Sequence, residues 1–326
     1  MGILERLARR ELVVVTGKGG VGKTAVSAAL GVALARRGRR VLVVEVDPRE
    51  NVHQMLGVAP SGGAIVSAGP RLWVQNLKPQ QVLDEIVREQ VKVPFLADRV
   101  LASAIYQQFA AGAPGLKELA ILGHGFRLRR RGRMDGETDG WLGGTPGAPE
   151  LDVVVLDAPA TGHGVALLAA PQLVAEVIHQ GPFGRLAAEL ARLAADPARL
   201  GVAVVTQAEE MPVEEALELR TALAARLDRA PELLVVNGLY PPVYPHAPRA
   251  HAAHDAEDPL ADLWRRRRAL NERELARLLA AWREGPAPSP VLELPQLPAD
   301  RGRALTEALA GCLEASAAAA GEAGWS

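Results

Sequence analysis

Apolar residues fall in two rhythms along this chain. Short unbroken runs rich in β-branched residues stand at 11–16 (ELVVVT), 40–48 (RVLVVEVDP), 72–77 (LWVQNL), 151–157 (LDVVVLD), 201–206 (GVAVVT), 232–237 (ELLVVN) and 290–295 (PVLELP). Runs of that length predict strands buried on both faces, as in a parallel sheet. Between most of them the apolar residues recur at helical spacing. The segment 24–38 (TAVSAALGVALARRG) shows it, with basic residues in its last turn and Gly38 as a stop. The alternation predicts an α/β fold with a doubly wound, mostly parallel sheet and right-handed crossovers. Its ligand is expected at the carboxyl ends of the strands.

Residues 79–126 interrupt that alternation. They read as two or three helices without a strand, a helical insertion over the ligand edge of the sheet. Residues 127–150 are charged and Gly-rich and are expected to form a mobile loop. The Ala-rich stretch after residue 304 reads as a helix that frays. No internal repeat is visible, and residues 1–326 are taken as one domain.

Composition narrows the function classes. Hydrophobic residues make up 48% of the 326 and aromatics only 4%, so the core must be built from Ala, Leu and Val. The net charge of -1 gives no overall pull toward nucleic acid or anionic lipid. The basic run at 127–133 lacks interleaved aromatics, so no nucleic-acid partner is expected. A single cysteine, Cys312, excludes an internal disulfide and any multi-cysteine metal site within one chain. The opening MGILERLARR is too short and charged for a signal peptide, and no apolar run approaches the roughly 18 residues of a membrane span. A cytoplasmic protein is expected.

The candidate chemistry begins between the first strand and the first long helix, at GKGGVGKT. Gly17, Gly22, Lys23 and Thr24 have Gly-x4-Gly-Lys-[Ser/Thr] spacing. Glycines let the backbone curl so that amides point at phosphate oxygens, and the following helix adds its N-terminal dipole. The stretch Gly17, Lys18, Gly19, Gly20, Val21, Gly22, Lys23, Thr24 and Ala25 is therefore the candidate nucleotide cradle. Lys23 is placed to reach the β- and γ-phosphates of ATP, and the Thr24 hydroxyl to ligate Mg2+. Asp47 ends the second strand, expected beside the phosphate loop, and is a candidate to orient the attacking water. Asp157 ends another apolar run and is a Walker-B-like carboxylate placed to hold Mg2+ through water.

The second lysine, Lys18, has no role in that local pattern. KGGVGKT at 18–24 resembles the deviant Walker A loop of ATPases that work as nucleotide-sandwiched dimers. The resemblance implies that Lys18 reaches the phosphates held by the other subunit, as an arginine finger would. Asp47 and Asn51 in EVDPRENV fit two branches of that group: partitioning ATPases of the ParA/MinD type, and the arsenite-pump and tail-anchored-protein-targeting ATPases. The stretch DAPATGH at 157–163 resembles the switch II signature DTAPTGH of the second branch, through Asp157, Thr161, Gly162 and His163. Arg49 and Glu50 replace the usual Ala and His of its switch I. Looser matches run through APGLKELAIL, through Glu209 and Glu215, and through LLVVNGLYP, where the resemblance makes Asn237 the adenine candidate.

What the resemblance implies is a P-loop NTPase that binds ATP and Mg2+, hydrolyses ATP as a dimer, and handles a client or membrane partner by nucleotide-driven closure. The arsenite-pump relatives carry two phosphate loops per chain and this one carries one, so Lys18 needs a second chain, a copy or a paralogue. Metalloid binding, a zinc bridge and an iron–sulfur cluster all need cysteines that Cys312 alone cannot supply. Two alternatives stay open: a ParA/MinD-type positioning ATPase, and a weakly hydrolysing regulatory subunit paired with a paralogue. The histidines of 246–254 are read as a solvated loop and the basic stretch 264–275 as a solvated helix face.

Overall fold

The computed structural model describes residues 2–47, 49–91, 93–130, 149–159, 164–242, 259–285 and 289–322. Among the described residues eight strands form one sheet: β1 (Leu12–Thr16), β2 (Val41–Glu45), β3 (Val66–Gly69), β4 (Leu72–Asn76), β5 (Val153–Asp157), β6 (Leu200–Thr206), β7 (Leu233–Leu239) and β8 (Val291–Pro295). Their spatial order is β3-β4-β2-β5-β1-β6-β7-β8. Every pair is parallel except β3 with β4. The doubly wound, mostly parallel α/β sheet read from the apolar rhythm is the one observed.

Side-chain alternation splits the core into two layers. Leu12, Val14, Leu42, Val44, Val154 and Leu156 face one side. Val13, Val15, Val41, Val43, Val153 and Val155 face the other. The second layer is closed by α1 (Ile3–Leu7), α2 (Lys23–Arg36), α3 (Asn51–Leu56) and α12 (Arg303–Glu322). The last of these corrects the expectation of a fraying tail. Leu309, Ala310, Leu313 and Ala317 of α12 are buried, because its small residues let it lie close on α2 and β8.

The first layer is closed by α4 (Pro79–Gln90), α7 (Leu116–Arg130), α8 (Gly164–Val177), α9 (Gly181–Ala195), α10 (Glu210–Leu227) and α11 (Pro259–Glu284). The described residues of 79–130 hold four helices, with α5 (Pro94–Leu101) and α6 (Ala104–Gly112) between α4 and α7. Val82, Leu83, Ile86 and Val87 of α4 and Leu119, Leu122 and Phe126 of α7 are core residues. By contrast Phe95 is 72% and Ile105 83% exposed. Helix α7 runs to Arg130, so the first residues of the stretch expected as a loop are helical. Arg127 is buried there and ion-paired with Glu85 and Glu89 of α4, which holds the last turns down. Of the remainder of that stretch, residues 149 and 150 are described and residues 131–148 lie outside the described residues, as do the histidines of 246–254.

One strand, β3, had no signal in the apolar pattern. It is a short antiparallel edge on β4 in which only Ala68 is buried, so its residues carry little hydrophobic imprint. Among the described residues no helix is long and apolar enough to cross a membrane.

Candidate functional site

β1 lies between β5 and β6, at the point where successive connections turn to opposite sides of the sheet. The crevice outside its carboxyl end is where an open α/β sheet binds ligands. The glycine loop occupies it. Gly17 has φ +146°, and a Cβ there would stand 2.1 Å from the Val205 carbonyl oxygen. Gly22 caps α2 in the left-handed region at φ 90°. A Cβ on it would meet the Asn237 amide nitrogen at 2.3 Å. Both positions require glycine for space as well as for backbone angle.

Lys23 is buried at the first position of α2, and its Nζ donates to the Lys18 carbonyl oxygen at 2.7 Å. Burial lowers its pKa, and the charges of Asp157 and Glu215 oppose that shift. Thr24 Oγ1 donates to Asp157 Oδ2 at 2.8 Å, and Ser27 Oγ donates to Asp157 Oδ1 at 2.9 Å. Asp157 is pushed up to about 6 by burial, against the two hydroxyl bonds and the Lys23 charge. Ser27 was not singled out in the sequence. Its position three residues after Thr24, on the same helix face, was the available signal.

Asp47 is half-buried beyond the end of β2. Its Oδ1 accepts from the Arg49 N–H at 2.8 Å and its Oδ2 from Asn51 Nδ2 at 2.7 Å. The strand order corrects one expectation about it. β5, not β2, is the neighbour of β1, so Asp157 abuts the glycine loop and Asp47 comes from one strand further out. A single cavity of about 550 Å³ nevertheless brings them together. Gly20, Gly22, Lys23, Thr24, Asp47 and Asp157 all line it. So do Asn51, Met55, Arg301 and Leu305, of which Arg301 stands just before α12 and had not been picked out. Its place soon after β8, at the ligand edge of the sheet, is a signal visible only once that edge is known.

Lys18 points elsewhere. Its Nζ pairs with Glu215 Oε1 of α10 at 2.7 Å, and both side chains are about one-third exposed. Asn237, two residues before the end of β7, donates its Nδ2 to the Val21 carbonyl at 2.9 Å and so braces the glycine loop. It does not line the cavity with Lys23 and Asp157. Thr161, Gly162 and His163 lie outside the described residues.

The donor set fits a small hard cation. A threonine hydroxyl and a buried carboxylate sit within hydrogen-bond distance of each other at the mouth of a phosphate-type loop. The raised Asp157 has a measurable consequence. Its protonated form is favoured in the folded protein below about pH 6, whereas in the unfolded chain it protonates only near its ordinary 3.8. Stability from this group is therefore complete below the ordinary value and is lost as pH rises through about 6. Buried Glu45, also raised by burial, acts with the same sign. The metal- and nucleotide-free protein should lose on the order of 3 kcal/mol at this site between pH 4 and 7. The difference between wild-type and Asp157→Asn melting curves across that range checks it; parallel curves would refute it.

A buried-strand, glycine-loop and helix unit, with a strand-end carboxylate held on the loop threonine, defines a P-loop nucleotide-binding fold. Comparison with known proteins narrows the class. Residues 10–185, more than half of the chain, match the family described as Anion-transporting ATPase. The chain belongs to that family. It is 28% identical over 297 residues to an arsenical pump-driving ATPase of Acidiphilium multivorum, covering 85% of this chain and 46% of the relative. It is 28% identical over 226 residues to the ATPase BagA of Mycobacterium tuberculosis, covering 67% and 62%. An arsenical pump-driving ATPase of Escherichia coli is 28% identical over 245 residues, covering 69% and 39%. The chain spans less than two thirds of the length of each of these relatives.

Proposed function

We propose that this chain binds ATP with Mg2+ in the cavity between the glycine loop, Asp47 and Asp157, and hydrolyses it as one half of a nucleotide-sandwiched dimer. The observation that carries the reading is the convergence of buried Lys23, the Thr24–Asp157 pair and Asp47 on one cavity at the carboxyl edge of β1. Loop amides and the start of α2 take the phosphates, and Lys23 supplies the cis positive charge. Thr24, with Asp157 behind it, holds Mg2+, which neutralises phosphate charge when bound. Asp47 orients water. Lys18 leaves Glu215 and neutralises charge on the nucleotide of the second subunit, a copy or a paralogue. Asn237 remains the candidate for the adenine edge, and Thr161, Gly162 and His163 for the γ-phosphate-sensing switch.

Lys23→Ala should weaken ATP binding by about 100-fold or more, because truncating one member of a buried charge pair costs about 3 kcal/mol. Titration of a fluorescent ATP analogue measures it, and an unchanged Kd would end the assignment of this cavity.

The partner side of the cycle is read from exposed apolar residues. Val93, Phe95, Leu96, Val100 and Ile105 on and before α5 and α6 are exposed, as are Leu173 and Val177 of α8. Helices α5 and α6 are neighbours, and the exposed apolar side chains gathered there favour an apolar partner over bulk water. We assign them to an apolar helix of a membrane-protein client, gripped or released as the nucleotide closes the dimer. Phe95→Asp with Ile105→Asp should reduce capture of a synthetic apolar transmembrane peptide by about 10-fold and leave basal ATP turnover unchanged. Equal capture by the double variant would remove the client reading. Binding to protein-free anionic vesicles would favour a surface-positioning ATPase instead.

A further inference from the structure

Three ionisable side chains are buried just behind Asp47, and none of them lines the nucleotide cavity. Glu45, the last residue of β2, is fully buried, as is His53 in α3. Glu50, between them, is nearly so and holds a left-handed backbone at φ 49°. The other four residues of β2 are all valine or leucine, so packing alone would have been served by a fifth apolar residue. The glutamate does something a hydrocarbon cannot. Its Oε2 accepts the Val52 N–H at 2.8 Å and its Oε1 the His53 N–H at 3.4 Å, both first-turn amides of α3. The same Oε1 lies 2.7 Å from His53 Nδ1.

The far side of the imidazole is also closed. His53 Nε2 is 3.0 Å from Ser61 Oγ and 3.6 Å from Glu50 Oε2. Glu50 in turn accepts the Ser61 N–H at 2.7 Å and the Gly62 N–H at 3.1 Å. Strand β2, helix α3 and the 61–62 turn are thus knotted around one histidine.

Helix α3 has only six residues, too few to hold its direction without anchors. Its first residue is Asn51, whose amide donates to Asp47 Oδ2. We propose that Glu45 and His53, closed by Glu50, are positioning residues that fix Asp47 for water attack by way of α3 and Asn51. Glu45 also stands two residues before Asp47 in the chain, and the Glu50 N–H donates to the Asp47 carbonyl oxygen at 3.1 Å, so the anchors hold the backbone as well as the side chain of Asp47 without entering the cavity. The proposal rests on the reading of Asp47 as the hydrolytic carboxylate. It adds residues that stand outside the nucleotide cavity and outside the glycine loop.

The test is steady-state ATP hydrolysis with KM and kcat separated. His53→Ala should lower kcat on the order of 10-fold, since a small displacement of a reacting group costs that much, while KM stays within about 2-fold. His53→Asn keeps an N–H donor near the Nδ1 position and should recover kcat to within about 3-fold of wild type. Asn51→Ala should reproduce the loss of His53→Ala. Adding His53→Ala to Asp47→Asn should cost nothing further, because the two act on one step. Thermal melting establishes that each variant is folded.

If Asp47→Asn hydrolyses ATP normally, the underlying assignment fails. If Asp47→Asn is inactive but His53→Ala keeps wild-type kcat, the positioning role fails alone. A loss confined to KM, or His53→Asn as slow as His53→Ala, also overturns it. Should His53→Ala not fold, Asn51→Ala decides: a wild-type kcat there breaks the route from α3 to Asp47.

Discussion

In a Lys18→Ala protein kcat for ATP should fall on the order of 1,000-fold while ATP affinity stays within about 3-fold, as when a trans-acting cation is withdrawn from phosphoryl transfer. Lys18 does not reach the cavity of its own chain, where Lys23 and Thr24 stand; it pairs with Glu215 on α10. That pair is about one-third exposed on each side, and exposed pairs contribute at most about 1 kcal/mol. In the proposed dimer a triphosphate brought up by a second subunit would outcompete it, so removing Lys18 should spare binding in cis and remove charge stabilisation in trans. A Lys18→Ala protein with wild-type turnover would leave this lysine as a surface charge on the loop.

Asp47→Asn should also lower kcat on the order of 1,000-fold with ATP still bound, within the range found for a positioned general base. An asparagine preserves the size of the side chain; its one oxygen can still accept from the Arg49 N–H, and Asn51 can turn its amide to accept from the new amide nitrogen. What it loses is the negative charge that polarises water. Normal steady-state turnover in this variant would refute the assignment. The two inactive proteins can be combined into one sharper experiment. In a mixed dimer, the site on the Lys18→Ala subunit has its own Asp47 and receives Lys18 from the Asp47→Asn partner. Random association of equal amounts should then restore roughly a quarter of the wild-type rate if this chain pairs with itself. No restoration in a mixture whose subunits demonstrably exchange would place Lys18 in cis.

The candidate site was legible in uneven pieces. The glycine loop was readable because its pattern is local: its glycines, Lys23 and Thr24 are adjacent in the chain. Seven of the strands were readable because they are apolar along their length, and those at the centre of the sheet are buried at every position. β3 was not, because an edge strand with one buried residue needs little hydrophobic content. Ser27 and Arg301 were missed for a different reason. A serine in an Ala-rich helix and an arginine in a turn are ordinary until the fold shows which side faces Asp157 or the cavity. Glu45 and His53 read as polar punctuation at the end of a strand, and their complete burial could not be inferred from neighbours in the chain.

By itself the sequence determined the α/β class, the phosphate loop and the two carboxylates at strand ends, since periodicity and loop spacing act over a few residues. Only the tertiary structure decided which carboxylate stands next to the loop. β5 inserts between β1 and β2, so Asp157, more than a hundred residues away in the chain, meets Thr24, and Asp47 faces them across the cavity. Strand order follows from crossovers and from burying helices on both faces, and no local stretch of chain encodes it. The same holds for Lys18. Its presence was written in the loop, but its pairing with Glu215 of α10 depends on a helix that the fold carries to its side.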